Sequence, residues 1–229
     1  MNTFFSIILP AHNEEENLSE VLTDLKNSLN AFGLQSEMIV VNDGSTDNTK
    51  EVLQSLEKQI SQLKTINIEN NGGYGNAIIQ GMNAAQGNIL AFMDSDGQAR
   101  SADLISLYKE LVNKNLDICK GVRINRAEGF IRKFISKSYN VLFRVMFGVN
   151  SKDIDGGPVI FTRHFYETAK LVSKDFFIDA EILIKAKRNN FSIMEMPVVP
   201  LERKRGKSTV NFSNSISCVK NMLVWFLFQ

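Results

Sequence analysis

Three short clusters of carboxylates each follow an apolar run. Pro10-Ala-His-Asn-Glu14 comes after one run, Asn42-Asp-Gly-Ser-Thr-Asp47 after a second, and Asp94-Ser-Asp96-Gly-Gln98 after a third. Asp94 and Asp96 stand at alternate positions, and at strand spacing they point the same way. Two like charges held that close are costly unless a cation sits between them. A hard divalent ion, Mg²⁺ or Mn²⁺, suits oxygen ligands and bridges carboxylates to phosphate oxygens. Gln98 could add a carbonyl oxygen. The same residues would also suit a helix-capping loop, since Ser101 and Asp103 open the next helical pattern.

The elements that must carry these clusters are legible as strands and helices. Phe4–Pro10, Met38–Asn42, Thr65–Ile68 and Ile89–Asp94 read as short β-rich strands bounded by turn residues. Between them Leu18, Val21, Leu22, Leu25 and Leu29 recur at helical spacing, as do Val52, Leu53, Leu56 and Ile60, then Leu104, Leu107, Leu111 and Val112. Strand–helix–strand repetition with short connections implies an α/β chain with a parallel, Rossmann-like sheet covered on both faces. Such sheets bind ligands at the carboxyl ends of their strands, and all three clusters fall on that edge. Further on, strands are expected at Asp117–Gly121, Val159–Thr162 and Phe191–Pro197, with helices over Phe177–Asn189 and from about Asn211. The expectation is one domain: a nucleotide-binding half (about 1–115), an acceptor-side half (about 116–211) and an apolar terminal helix (about 212–229).

Several other motifs have both a local and a chemical reading. In Asn42-Asp-Gly-Ser-Thr-Asp47, Asp43-Gly44 bends and Ser45 or Thr46 can cap a helix, while a carboxylate there can also hold a nucleobase N–H or a ribose hydroxyl. Asn70-Asn-Gly-Gly-Tyr-Gly75 precedes a helix, and its glycines, Gly73 among them, allow close backbone approach to a ligand. It is not a dinucleotide fingerprint, because Ile78 stands where the last glycine belongs. Gly206-Lys-Ser208 is not a Walker loop, because Leu201 stands where its first glycine would be. Asp153-Ile-Asp-Gly-Gly-Pro158 and Asp179-Ala-Glu181 are acidic turns that could cap helices or face a site. Arg203-Lys-Arg-Gly-Lys207 is a solvated charge run or a lid that neutralises a diphosphate.

Bulk properties narrow the classes. The 229 residues are 44% hydrophobic and 22% charged with a net charge of +1, so no global field argues for nucleic acid. Cys119 and Cys218 lack metal-site spacing and read as reduced thiols of a cytoplasmic protein. No basic segment precedes the apolar run Phe4–Leu9, which therefore reads as a first strand and not a signal peptide. No apolar stretch reaches the roughly 20 residues that span a bilayer.

The ordered motifs Pro10–Glu14, Asn42–Thr49, Asn71-Gly-Gly-Tyr-Gly-Asn-Ala77 with Gly81, Asp94–Gln98, Asp153–Pro158 and Arg203 with Gly206-Lys-Ser208 resemble family 2 inverting glycosyltransferases. The likeness is strongest to the dolichyl-phosphate and polyprenyl-phosphate sugar transferases, and it runs from about residue 4 to 212. It implies a GT-A fold, a nucleotide-sugar donor (UDP- or GDP-linked) and a divalent cation. By the same resemblance Pro10, Glu14 and Asp43 contact the base and ribose, and Asp94, Asp96 and Gln98 form the metal–diphosphate site. Arg123 matches a basic position near an acceptor phosphate, and Arg203 and Ser208 a loop closing over the diphosphate. Asn42 departs from the aspartate common at its position, and Thr209 from a common lysine.

The implied mechanism is a single displacement at the anomeric carbon, with charge on the leaving group stabilised by the metal and Arg203. A hydroxyl acceptor needs a base, for which Asp179 is the candidate; a lipid phosphate needs none, and Asp153 or Asp179 then serves positioning. The segment Gly129–Phe147 is amphipathic, with Phe130, Phe134, Ile135, Leu142 and Met146 on one face and Arg132, Lys133, Lys137 and Arg144 elsewhere. It reads either as a membrane-surface helix or as a core-packing one. Ile216–Phe228 could lie beside it on lipid or join a homodimer, which places the protein peripherally on the cytoplasmic face of a membrane. Rival readings are transfer to a soluble saccharide acceptor, a non-catalytic nucleotide-sugar-binding protein, and a nucleotidyltransferase. The second needs a broken acidic motif and the third a glycine- and lysine-rich loop after strand one; neither is found.

Overall fold

The computed structural model describes residues 4–124, 130–202 and 220–227, the side chains of 130–135 and 137 lying outside the description. Its strands are β1 (Phe5–Ala11), β2 (Ser36–Asp43), β3 (Leu63–Ile68), β4 (Ile89–Phe92), β5 (Ile118–Arg123), β6 (Val159–Thr162) and β7 (Ile193–Val198). Its helices are α1 (Leu18–Ala31), α2 (Thr49–Glu57), α3 (Tyr74–Ala84), α4 (Ser101–Asn113), α5 (Phe130–Phe147), α6 (Arg163–Ala169) and α7 (Ile178–Arg188), and residues 220–227 are also helical. The strands form one sheet in the order β3-β2-β1-β4-β6-β5-β7.

Every strand pair is parallel except those of β6, which runs antiparallel to both β4 and β5. Ala11, Asp43, Ile68, Phe92, Arg123 and Val198 therefore end on one edge, and β6 begins there at Val159. β1 is buried along its whole length, as a central parallel strand requires. Its alternate residues serve opposite faces. Phe5, Ile7 and Leu9 pack with Leu22 and Leu25 of α1 and Leu104 and Leu107 of α4, whereas Ile8 packs with Ile78 and Met82 of α3 and Ile182 of α7. Cys119 of β5 is buried in the first of these layers, and burial pushes its thiol up to about 12.

A third cluster joins Phe143 of α5, Phe177 and Leu183 to Met222 and Trp225 of the terminal helical segment. This answers half of the question posed by α5. Phe143 is fully buried and Phe147 stacks edge-on against Phe226, so one face is core. The predicted apolar face was drawn through Leu142, yet Leu142 is exposed, as are Val141 and Val145. The helix is apolar at nearly every position from Val141 to Phe147, so spacing alone does not select which stripe is buried. Phe130, Phe134, Ile135, Arg132, Lys133 and Lys137 lie outside the described side chains. Among the described residues no helix is long and apolar enough to cross a membrane.

Candidate active site

The loops after β1 and β2 are bolted to each other before they can meet a ligand. Asn13, in a left-handed conformation with φ 58°, accepts from Thr46 N at 2.8 Å through Oδ1, and its own N–H donates to Ser45 Oγ at 2.9 Å. Glu15 Oε2 accepts from Asn48 N at 2.9 Å, while Asp47 Oδ1 accepts from Thr49 N at 3.0 Å. The cap of α2 thus comes from Asp47 and from Glu15 across the gap, not from Ser45 or Thr46. Glu14 turns inward: its Oε2 accepts from Asn17 Nδ2 at 2.6 Å. Pro10 O accepts from the buried Ser95 hydroxyl at 2.7 Å, which ties the first loop to the acidic motif.

Asp43, at the end of β2, is buried and builds the glycine loop. Its Oδ1 accepts from Gly72 N at 2.8 Å and its Oδ2 from Gly73 N at 2.9 Å. The glycines of this loop make room for protein. A Cβ on Gly73 would lie 2.5 Å from Lys174 O, and one on Gly75 would lie 2.3 Å from Ser173 O. Only glycine lets the backbone of 173–175 come this near, and Gly73 itself sits at φ 96°. The neighbouring Asn42 donates to Asn67 Oδ1 at 2.9 Å and accepts from Ser45 N at 3.2 Å, so it serves the loop as an amide.

β4 ends at Phe92, so strand alternation does not set the directions of Asp94 and Asp96. A bend through Gly97, φ 78°, follows, with Asp94 exposed and Asp96 buried. The two carboxylates are nonetheless gathered by Tyr74, the first residue of α3. Its hydroxyl donates to Asp94 Oδ1 at 2.9 Å, and its ring stacks on Phe176 with centroids 4.9 Å apart. Burial, then the charges of Asp94 and Asp179, push the Tyr74 phenol well above its ordinary range, with Asp96 adding to it. Asp96 Oδ1 accepts from Gln98 N at 2.9 Å within the bend, while α4 starts at Ser101 with no side-chain cap, so the acidic motif does not cap that helix. Gln98 itself bridges to Leu201: its N–H side-chain donor meets Leu201 O at 3.3 Å, and its backbone carbonyl accepts from Leu201 N at 2.9 Å.

On the other side of the edge the charges are paired with one another. Arg123 grips Asp153 through Nε to Oδ2 at 2.9 Å and Nη2 to Oδ1 at 3.1 Å, and its backbone N–H adds a third bond. Burial opposes the arginine's charge, but Asp153 outweighs it and holds its pKa above the ordinary value. Lys120, fully buried in β5, donates to Asp153 O at 2.7 Å and Ile154 O at 2.6 Å. Burial lowers its proton affinity against the pull of Asp179, Asp153, Glu195 and Asp155. Asp179, at the first turn of α7, is pushed well above the carboxylate range by burial, with Asp155 and Asp94 adding to the rise and Lys120 and Arg123 opposing it. Glu181, its partner in the sequence motif, is structural: it accepts from Val172 N and Ser173 N and pairs with Lys185 at 2.6 Å.

The structure thus brings Asp94, Asp96, Asp179, Arg123 and Asp153 to one edge, with Glu14, Asp43 and Gly73 holding its loops. Arg203 and Ser208 lie outside the described residues. Sequence reasoning passed over Lys120 and Phe176, and noted Tyr74 and Asp155 only as members of their motifs. For Lys120 a signal existed, since a lysine inside the apolar run Ile118–Val122 must be buried and partnered. A divalent cation would find oxygen donors in Asp94 and Asp96. Among the described residues no three acidic, histidine or cysteine side chains cage a metal by themselves, so phosphate oxygens would have to complete such a site.

Comparison with known proteins decides the lineage. The glycosyl transferase family 2 pattern matches residues 6–170, more than half of the chain. The chain belongs to that family. Within glycosyl transferase family 2, a dolichyl-phosphate beta-glucosyltransferase of Trichomonas vaginalis is 31% identical, over 86% of this chain and 65% of the relative. A dodecaprenyl-phosphate galacturonate synthase of Rhizobium johnstonii is 28% identical, over 98% of this chain and 67% of its own length. The chain therefore spans about two thirds of the length of these curated relatives. Among solved structures, glucosyl-3-phosphoglycerate synthase from Mycobacterium tuberculosis, in complex with Mn²⁺, uridine-diphosphate and phosphoglyceric acid, superposes with a TM-score of 0.77 at 19% identity, covering 98% of this chain and 78% of that one. That likeness establishes the GT-A fold expected from the sequence.

Proposed function

We propose that the protein transfers a sugar, with inversion, from a nucleotide-diphosphate sugar to a polyprenyl phosphate, assisted by Mg²⁺ or Mn²⁺. The observation that carries this reading is the convergence of Asp94, Asp96 and Asp179 around Tyr74 at the carboxyl edge of the sheet. The named relatives, a dolichyl-phosphate and a dodecaprenyl-phosphate enzyme, support the lipid phosphate as acceptor. The Mn²⁺ and uridine-diphosphate held by the structural neighbour support the donor class and the metal.

Asp94 and Asp96 would hold the cation, which when bound would supply positive charge against the diphosphate leaving group. Glu14 and Asp43 hold the loops on which the nucleoside would rest. Arg203 and Ser208 would close over the diphosphate, as the resemblance of their motif implies. A phosphate acceptor attacks as an anion and surrenders no proton, so it needs no base. Its approach is eased because burial favours the neutral form of Asp179, which then repels no anion. Transfer to a hydroxyl would use Asp179 differently, as the group that accepts the proton.

An apolar surface supports a lipid acceptor. Val141, Leu142 and Val145 of α5 are exposed, Val145 to 79%, as are Leu223, Val224, Phe226 and Leu227 of the segment packed against it, Leu227 to 68%. We place this surface on a membrane face, with the protein peripheral. Incubation with Mn²⁺, each of a panel of UDP- and GDP-sugars, and a short-chain polyprenyl phosphate should yield a glycosyl lipid from one donor. Turnover only with saccharide acceptors would replace the lipid reading, and no turnover with any pair would end the catalytic one. Flotation with anionic liposomes should carry the wild type upward and leave Val145→Asp/Leu227→Asp behind. If neither floats and the protein sediments as a dimer, the surface is a subunit interface.

A further inference from the structure

We propose that Tyr74 is a positioning residue for the cation site: its phenol orients the Asp94 carboxylate, and the backbone of residues 173–176 orients the phenol. The inference rests on the metal reading above and assigns a role to a side chain outside the acidic motif itself.

Three elements over-determine where the Tyr74 ring sits. From one side Asp43 takes the amides of Gly72 and Gly73, at 2.8 and 2.9 Å, and so sets the start of α3 one residue later. From the other, Lys174 O accepts from Asn76 N at 3.0 Å, and the absent side chains of Gly73 and Gly75 let residues 173–175 press against the loop. Phe176, the next residue, stacks on the ring at 4.9 Å with an interplanar angle of 20°. The segment is tethered in turn, because Asp175 accepts from Phe177 N at 3.0 Å and from Asn221 Nδ2 at 2.6 Å.

A phenylalanine would fill that slot equally well. The hydroxyl is what a space-filling account leaves over, and it is spent on Asp94, an exposed carboxylate 20 residues away, rather than on a backbone carbonyl. A neutral donor fixed on Oδ1 settles the rotamer of Asp94 and adds no charge to compete with a cation. Hydrogen-bonded partners of ligating side chains act in this way, and their loss lowers metal affinity about 10- to 100-fold.

Tyr74→Phe keeps the stack and removes only the hydroxyl. Binding of Mn²⁺, counted as loss of the free-ion electron paramagnetic resonance signal with and without UDP or GDP, should weaken at least about tenfold. The melting temperature without metal should stay within about 2 °C of wild type. Turnover of Tyr74→Phe should recover as Mn²⁺ is raised, an effect on the metal requirement and not on the saturated rate. Phe176→Leu, which loosens the ring but keeps the hydroxyl, should show a smaller loss of the same kind. Wild-type affinity for Mn²⁺ in Tyr74→Phe overturns this role and leaves the metal reading intact. A wild type that binds no Mn²⁺ even with either nucleotide overturns both.

Discussion

The donor edge and the acceptor side use their charged residues in opposite ways. At the donor edge nearly every carboxylate is spent on backbone amides: Asp43 on Gly72 and Gly73, Glu15 on Asn48, Asp47 on Thr49. Those bonds make loops into a fixed ledge, and the charge is dissipated over N–H groups that folding would otherwise leave unpaired. On the acceptor side the buried Lys120, Asp153 and Asp179 answer one another, with the part-buried Arg123 and the exposed Asp155 at their rim. There side-chain charges face one another, and burial raises the proton affinity of Asp179 and lowers that of Lys120. Asp94 and Asp96 lie at the seam. On the proposed reading, rigidity serves where the nucleotide is held, and mutually compensated charge where the anionic acceptor arrives.

The seam should be the most sensitive place. Asp96→Asn keeps the bond from Gln98 N but lowers the charge, and turnover with saturating donor is expected to fall by about 10²–10³-fold, the scale of removing one electrostatic stabiliser. Near-normal turnover of Asp96→Asn would dissolve the seam as a chemical site. Next in size is Asp153→Ala on the acceptor side. It strands Arg123 and removes both side-chain bonds, so unfolding in urea should show a loss of about 2–4 kcal/mol, below the fully buried case because the Arg123 side chain is 30% exposed. Asp47→Ala, its counterpart on the donor side, removes hydrogen bonds to the Glu15 and Thr49 amides and the Thr49 side chain but no ion pair, and should cost about 1–2 kcal/mol. Equal losses at the two positions would remove the contrast between dissipated and mutually compensated charge.

The contrast also has a pH signature. The proton affinity of Asp179 is raised in the folded chain, so the folded state binds a proton that the unfolded state has already released. Its contribution to stability is full below the ordinary aspartate range, near pH 3.9, and is lost as pH climbs through the raised value. Urea midpoints of Asp179→Asn should therefore gain on those of the wild type as pH rises above the ordinary aspartate range. Parallel curves would mean that Asp179 titrates like a solvated carboxylate.

What the amino-acid sequence disclosed follows the same division. The strands of the donor half announce themselves as apolar runs, and each polar cluster at their ends contains its own turn residues, so the edge was legible. The partners were not. Asp43 meets Gly72 and Gly73 across about thirty positions, and Gly75 is small on account of Ser173, nearly a hundred positions away. No local pattern reports a contact at that distance, which is why the sequence reading did not foresee the packing of residues 173–175 on those glycines. Asp94 and Asp96 were placed together for a reason that fails, since β4 stops at Phe92, and they are gathered instead through Tyr74. On the acceptor side Arg123 and Asp153 were each recognised, but as two separate contacts to substrate. Their bidentate pairing makes them one unit. The short helix α6 escaped because its seven residues hold too few periods to register.

The smallest expected effect separates two reasons for one residue. Asn13 both clamps the second loop and occupies a left-handed backbone position. Asn13→Gly keeps the backbone comfortable and removes the clamp, while Asn13→Ala removes the clamp and keeps a Cβ in the left-handed region without the amide that eases it there, a strain of about 1 kcal/mol relative to glycine. If the ledge depends on the clamp, both variants lose about 1 kcal/mol or slightly more to the missing hydrogen bonds, and alanine loses about 1 kcal/mol beyond glycine. Both should also weaken UDP or GDP binding in thermal-shift titrations, because Thr46 and Asp47 are freed to move beside the nucleotide. Should glycine bind the nucleotide as wild type does and only alanine fail, Asn13 is there for its backbone alone. The first and second loops would then be held by Glu15 and Asp47, and the donor edge would owe its rigidity to carboxylates throughout.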